Sequence, residues 1–194
     1  MKFLSALTAA TALVATVAIA QAEWVAPGPA VGAPFGQELR LSDHTDTLRS
    51  LTELQGRHGI VVFFVRSADW CPFCKRQLAD INARLDEFLR RGYSVVSVSV
   101  DTPTQIAAFR SIAGIRYSML ADPTGAVNAA LGIRDDQYPV GSNAFGVPHP
   151  MIFVLDRDGT VAAKFAERGY RTRPNLDLVI DRLDGLAARP PSAN

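Results

Sequence analysis

A chain of 194 residues that is 48% hydrophobic and 20% charged carries enough apolar material for one globular domain with a full core, and no second domain is required. Its formal net charge of +1, with the basic residues dispersed, excludes an electrostatic case for nucleic acid or a membrane surface as partner. No internal repeat is apparent.

Residues 1–22 read as a secretory signal peptide: Lys2 supplies the charged start, Phe3 to Ala20 is apolar and Ala-rich, and Ala20-Gln21-Ala22 fits a small-x-small cleavage site. The competing reading is a membrane anchor, since the run approaches spanning length, but its Ala and Thr content and the small-residue site favour cleavage. The expectation is a mature chain from Glu23, periplasmic or extracellular, with no stable membrane association, in a compartment where cysteines can be oxidised.

Residues 23–36, rich in Pro, Gly and Ala, predict an irregular lead-in without its own core, and the domain proper spans 37–188 before a tail at 189–194. Glu38 to Leu41 is a candidate short strand, Ser42 to Asp46 a turn, and Leu48, Leu51 and Leu54 recur as in a short amphipathic helix ending before Gly56. Ile60 to Val65 is a β-branched and aromatic run, the pattern of a strand buried on both faces of a sheet. Leu78, Ile81, Leu85, Phe88 and Leu89 then repeat at helical spacing, predicting one helix from the cysteines to Gly92.

Tyr93 to Val100 reads as a second central strand, followed by Asp101-Thr102-Pro103 as a helix start with Ile106 and Phe109 inward. Tyr117 to Leu120 is a short strand, and Ala121-Asp122-Pro123 caps a helix that runs through Leu131 to Gly132. Ile133 to Pro150 is long for a connection, which makes it a candidate functional loop or ordered insertion. Met151 to Leu155 resumes a buried strand, Asp156-Arg157-Asp158-Gly159 is a hairpin turn, and Thr160 to Phe165 returns antiparallel. A last helix, begun near Pro174, carries Leu176, Val179, Ile180, Leu183 and Leu186 and stops before Pro190-Pro191. Alternating strands and helices ended by a hairpin and a helix predict an α/β fold: a central mixed β-sheet with helices on both faces.

The chemistry centres on Trp70-Cys71-Pro72-Phe73-Cys74, which holds both cysteines where a strand gives way to a helix. A thiol at a helix N-terminus is acidified by the unpaired amides and the macrodipole there, so Cys71 is expected to carry the lower pKa and react first. Pro72 suits the first helical turn. Cys74, one turn along, can attack a mixed disulfide at Cys71 and release the product. A zinc site lacks a second ligand pair, since His44, His58 and His149 show no ligand spacing, and covalent haem would need His where Lys75 stands. A purely structural disulfide closing so short a loop would stabilise the fold weakly.

The run Ala68-Asp69-Trp70-Cys71-Pro72-Phe73-Cys74 after a buried strand resembles the thioredoxin superfamily, nearest its redoxin branch that includes the alkyl hydroperoxide reductase and thiol-specific antioxidant family. The likeness covers roughly residues 30–188 and implies a thioredoxin-like fold. Pro150, in His149-Pro150-Met151-Ile152-Phe153-Val154, matches the cis-proline that faces the redox disulfide in such proteins, and with Trp70 it would bind substrate. A peroxiredoxin carries Pro and then Thr or Ser seven and three residues before its attacking Cys, and Arg near the later strand; those positions resemble Phe64, Ala68 and Pro150 here. The buried acid of thioredoxin, six residues before the first Cys, corresponds to Val65, which leaves water or Asp69 and Asp101 as candidates for proton transfer, each acid being equally readable as the cap of a turn or helix. Ser99-Val100-Asp101 and Ala121-Asp122-Pro123-Thr124-Gly125 look like the antioxidant branch.

Taken with the leader, the resemblance therefore implies an exported thiol:disulfide oxidoreductase in which Cys71 attacks and Cys74 resolves. Its partners would be a protein or small-molecule thiol or disulfide substrate and an external reductant or oxidant, with no cofactor and no metal. The alternative is a peroxiredoxin-like thiol peroxidase with antioxidant activity, in which Cys71 becomes a sulfenic acid and Cys74 condenses with it. A redox-inactive binding module of the same fold is a third reading, against which the retention of both cysteines argues. Mass analysis of protein recovered from an exported fraction is expected to show an N-terminus at Glu23; a membrane-bound product retaining Met1 to Ala22 would reverse that expectation.

Overall fold

The structure is a computed structural model that describes residues 25–36 and 39–187. The expected leader 1–22, Trp24, the strand start at Glu38, and the tail with its Pro190-Pro191 stop lie outside the described residues.

Among the described residues thirteen elements follow one another: β1 (Arg40–Asp43), β2 (Leu48–Ser50), α1 (Leu51–Leu54), β3 (Gly59–Phe64), α2 (Pro72–Ala83), α3 (Leu85–Arg90), β4 (Tyr93–Ser99), α4 (Pro103–Ala113), β5 (Ser118–Ala121), α5 (Ala126–Ala130), β6 (Met151–Leu155), β7 (Val161–Ala166) and α6 (Leu176–Ala187). The seven strands form one sheet in the order β2-β1-β5-β4-β3-β6-β7. β3 pairs parallel with β4 and antiparallel with β6, β4 pairs parallel with β5, and the edges are antiparallel. This is the mixed sheet the pattern predicts.

All six residues of β3 are buried because both faces of the sheet are covered. Side chains alternate across a strand, so Val61, Phe63 and Val65 enter one core with residues of α2, α3, α4 and α6. Ile60, Val62 and Phe64 enter the other with Phe35, Leu51 of α1 and Val127 of α5. Both cysteines belong to the first core.

Three element boundaries and the packing of the lead-in differ most from the sequence expectation. Leu48 lies in β2 and is 57% exposed, because Ser50 caps α1 by accepting from Glu53 N while the Glu53 carboxylate accepts from Ser50 N. The helix expected from the cysteines to Gly92 is two helices. At Arg84 the amide is shared between the Asp80 and Ile81 carbonyls, and the Arg84 carbonyl accepts from Glu87 N three residues on. Leu78 and Ile81 before that turn face the same core as Leu85 and Phe88 after it, so the hydrophobic period is unbroken and conceals the joint. The helix expected after Asp122 begins at Ala126 behind Gly125, although the Asp122 carboxylate still reaches forward to accept from Asn128 N at 3.1 Å. Burial raises that carboxyl's pKa, opposed by hydrogen bonds from the amides of residues 126–128.

The fourth difference is the lead-in. It is irregular, as expected, but it is strapped to the sheet edge: Gly32 N donates to Val161 O, Val161 N to Ala33 O, and Phe35 N to Gly159 O. Lys164 Nζ donates to the Ala26 carbonyl at 2.9 Å, and Phe35 packs its ring against Phe64 and Phe153.

Residues 133–150 form an ordered insertion closed at its base, with His149 N donating to Ile133 O and Asp135 N to Val147 O. It is pinned to α5 where Gly125 (φ +68) meets Gly146 and Asn128 Nδ2 donates to Gly146 O. A Cβ at Gly125 would stand 2.5 Å from the Gly146 backbone. Gly125→Ala is therefore expected to cost about 2 kcal/mol or more, from left-handed strain together with the forced separation; urea denaturation measures it.

Candidate redox site

β3 delivers the chain to the site. Val65 N still donates to Val98 O, extending the β3–β4 ladder by one residue, and the chain then turns. The turn is held by Asp101, 2% exposed, just beyond the end of β4. Its carboxylate accepts from Ser67 Oγ at 2.6 Å, from Ala68 N at 2.6 Å and from Ser99 Oγ at 2.7 Å. Ser67 Oγ in turn accepts from Asp69 N and Trp70 N. A hydroxyl that binds amides two and three residues on fixes a tight local turn. Cys71 emerges from it as the N-cap of α2.

The Cys71 Sγ accepts from Cys74 N at 3.3 Å, Pro72 occupies the first helical turn, and a disulfide joins Cys71 to Cys74 with their Cα atoms 5.2 Å apart. Cys71 is 2% exposed and Cys74 is fully covered. Reduction would leave a Cys71 thiolate facing the free amides of the first turn of α2, which is the arrangement that acidifies a thiol.

One guanidinium touches the pair and a second lies over the ring of neighbouring Trp70. Arg173, on the segment before α6, donates from Nη2 to Cys74 Sγ at 3.3 Å and from Nε to Gln77 Oε1 at 2.7 Å. It is anchored by donating to the carbonyls of Tyr170 and Thr172. Burial, and then the nearby Arg66 guanidinium, pull Arg173 down to about 10. Arg66, 4% exposed, sits over three aromatic rings: Tyr170 at 4.3 Å, Tyr138 at 4.8 Å and Trp70 at 5.3 Å. A desolvated cation over an aromatic face gains about 2 kcal/mol, which offsets part of the cost of burying the guanidinium. Its Nε has no hydrogen-bond partner among the described residues.

The residues singled out in the sequence fall as follows. Cys71 and Cys74 are joined. Trp70, 41% exposed, lies beside them and stacks on Arg66. Asp101 is at the site, but its oxygens are engaged in holding the turn; Asp69 is exposed and accepts from Gln105 Nε2 at 3.0 Å. Pro150 is buried just before β6, and Met151 opposite Phe64 places it at the sheet end where the turn to Cys71 begins. The cis-proline expectation is corrected: no peptide bond among the described residues is cis. Phe64 faces the core opposite the cysteines, whereas Ala68 shares theirs, so no hydroxyl enters that core at its position.

Sequence reasoning did not single out Arg66, Ser67, Tyr138, Tyr170 or Arg173. Ser67 had a legible signal in its position two and three residues before Asp69 and Trp70. The others converge from separate segments. The 133–150 insertion now has a contribution to the site, because it supplies Tyr138 to the stack on Arg66.

The family model described as the AhpC/TSA family matches residues 32–164 of this chain. The chain belongs to that family. A Mycobacterium tuberculosis protein that carries the name peroxiredoxin is 33% identical over 112 residues, 58% of this chain and 69% of that protein. Alkyl hydroperoxide reductase C of Escherichia coli is 33% identical over 107 residues, 53% of each chain, so this chain spans about half of that relative. Among solved structures, peroxidoxin BcpB from Mycobacterium tuberculosis aligns over 84% of this chain and 99% of its own, with a TM-score of 0.66 at 24% identity, which shows the shared thioredoxin-like fold. Family membership with a joined cysteine pair makes the protein a thiol-dependent redox enzyme of the AhpC/TSA family. Tyr170 and Arg173 lie beyond the residues the family model matches.

Asp101 gives a test of bracket against proton carrier. Asp101→Ala leaves two hydroxyls and an amide without their acceptor and is expected to cost about 3 kcal/mol or more in denaturant unfolding, given about 1–3 kcal/mol per unsatisfied buried group. Asp101→Asn, which keeps an acceptor, should cost less and leave the pH dependence of thiol alkylation unchanged; a shifted alkylation profile in a stable Asp101→Asn protein would make it a proton carrier.

Proposed function

We propose that this protein is a two-cysteine thiol peroxidase, exported after loss of residues 1–22 and reset by an external thiol. The Cys71 thiolate attacks the terminal oxygen of a hydroperoxide, the O–O bond breaks, and the alcohol leaves with a proton. The resulting Cys71 sulfenic acid condenses with the Cys74 thiol, which releases water and forms the disulfide. Family membership supports this reading over a protein disulfide oxidoreductase.

The observation that carries it is Arg173 at the cysteine pair. Judged by position in the sequence, a peroxide-binding guanidinium is missing, since Pro150 stands where it is expected. Arg173, from another segment, stands 3.3 Å from Cys74 Sγ, the sulfur bonded to Cys71, and so supports a guanidinium in that role. A guanidinium at a reacting centre stabilises the negative charge that develops on oxygen as the O–O bond breaks.

The oxidoreductase reading is favoured by a different observation: Ala68, with no hydroxyl, shares the core with both cysteines, and Trp70 offers an exposed ring beside them. Cys74→Ser separates the two. A peroxidase variant should consume one equivalent of hydrogen peroxide per chain and stop with a sulfenic acid at Cys71, seen as an added oxygen in the intact mass. A trapped mixed disulfide with a disulfide-bonded protein, without peroxide consumption, would return the function to the oxidoreductase.

A further inference from the structure

Beside the disulfide lies a groove of about 550 Å³ between the outer face of α2 and the segment 171–176. Arg76, Arg84, Arg171 and Arg173 line it, with Asp80 as its carboxylate. Arg84 is paired with Glu87 and Asp177. Arg76, Arg171 and Arg173 have no carboxylate partner among the described residues: Arg171 donates to the Tyr170 hydroxyl, and Arg173 to Gln77, to backbone carbonyls and to Cys74. Three uncompensated guanidiniums against one carboxylate make the groove an anion site, and its volume is that of a small-molecule cleft. Arg173 both lines it and touches the disulfide. Its wall at 171–176 lies past the residues that the family model matches.

We propose that this groove binds the enzyme's reductant, a low-molecular-weight thiol carrying two or more carboxylates. The inference rests on the redox reading of the cysteine pair. The form that shows the groove is the disulfide form, and the reactant a disulfide meets next is a thiol, whereas a hydroperoxide meets the reduced pair.

With its carboxylates on Arg76 and Arg171, the incoming thiolate is drawn to the Arg173 guanidinium and attacks Cys71 Sγ, the sulfur of the pair that is not fully covered. A new sulfur–sulfur bond forms there as the Cys71–Cys74 bond breaks. Cys74 leaves as a thiolate beside the Arg173 guanidinium, whose Nη2 donates to its Sγ. A second thiol attacks the reductant's own sulfur in the mixed disulfide. The reductant departs as its symmetrical disulfide, and the two protons of the thiols pass to Cys71 and Cys74.

The test starts from the full chain with its disulfide formed and uses no peroxide. Rapid alkylation and intact mass follow the appearance of free thiols with mercaptosuccinate and with β-mercaptoethanol at equal thiolate concentration. Mercaptosuccinate should react about tenfold faster or more at low ionic strength, since a cleft of one sign raises encounter rates by about ten- to a thousandfold. The advantage should shrink with added salt, and succinate should compete. In Arg76→Glu/Arg171→Glu the rate ratio should fall to about one, while Arg57→Glu/Arg90→Glu, an equal charge change outside the groove, should keep it.

A ratio near one in the unaltered protein, which needs no variant to fold, overturns the proposal. So does a ratio that survives Arg76→Glu/Arg171→Glu. If a dithiol protein reduces the disulfide, loses rate in that variant, and mercaptosuccinate shows no advantage, the groove serves a protein and the small-molecule assignment falls. A chain without peroxidase activity would still show the ratio, and an active peroxidase lacking it would refute the groove alone.

Discussion

One buried carboxylate positions the chemistry. Asp101 gathers Ser67 Oγ, Ala68 N and Ser99 Oγ within 2.7 Å, and so ties the end of β4 to the turn that follows β3. The parallel β3–β4 pair brings these segments together, and the bracket converts their proximity into a fixed path for residues 66–70. Cys71 then starts α2 with its sulfur already accepting from Cys74 N. Without the bracket, the pair would hang from a turn with no acceptor for three buried donors.

The two sulfurs face different electrostatics. Cys71 has the helix N-terminus, a field made by backbone amides that any α2 would supply at that position. Cys74 has the Arg173 guanidinium, a side chain brought from a segment 99 residues on. Both favour a thiolate, so each sulfur has a positive field facing it when the disulfide opens. The stack of Trp70, Tyr138 and Tyr170 on Arg66 fits the same economy of charge: a second buried cation near the disulfide is held by ring faces where no carboxylate is available to neutralise it.

The site thus combines an AhpC/TSA scaffold with a local cysteine pair. At the two positions where a peroxiredoxin places Pro and a hydroxyl, Phe64 turns to the far core to pack against Phe35 and Phe153, and Ala68 lines the near core with only its amide engaged. A guanidinium, that of Arg173, reaches Cys74 from beyond the matched residues. A shared fold here carries an altered arrangement of polar groups, which is why the function is argued from the site rather than the scaffold.

Periodicity and punctuation made most of the fold legible. The apolar run at Ile60 to Val65, the Val–Ser alternation after Gly92 and the turn at Asp156 to Gly159 are local patterns, and local patterns determine element type. Cys71 and Cys74 were legible for the same reason, since their spacing and the strand before them are contiguous in the chain. The joint at Arg84 was hidden because a turn that preserves the apolar face leaves no trace in the period. The pairing of Arg173 with Cys74, of Arg66 with Tyr138 and Tyr170, and the groove beside them were decided by tertiary structure, because each joins residues from separate segments whose meeting depends on how the sheet orders its strands and where the last helix packs.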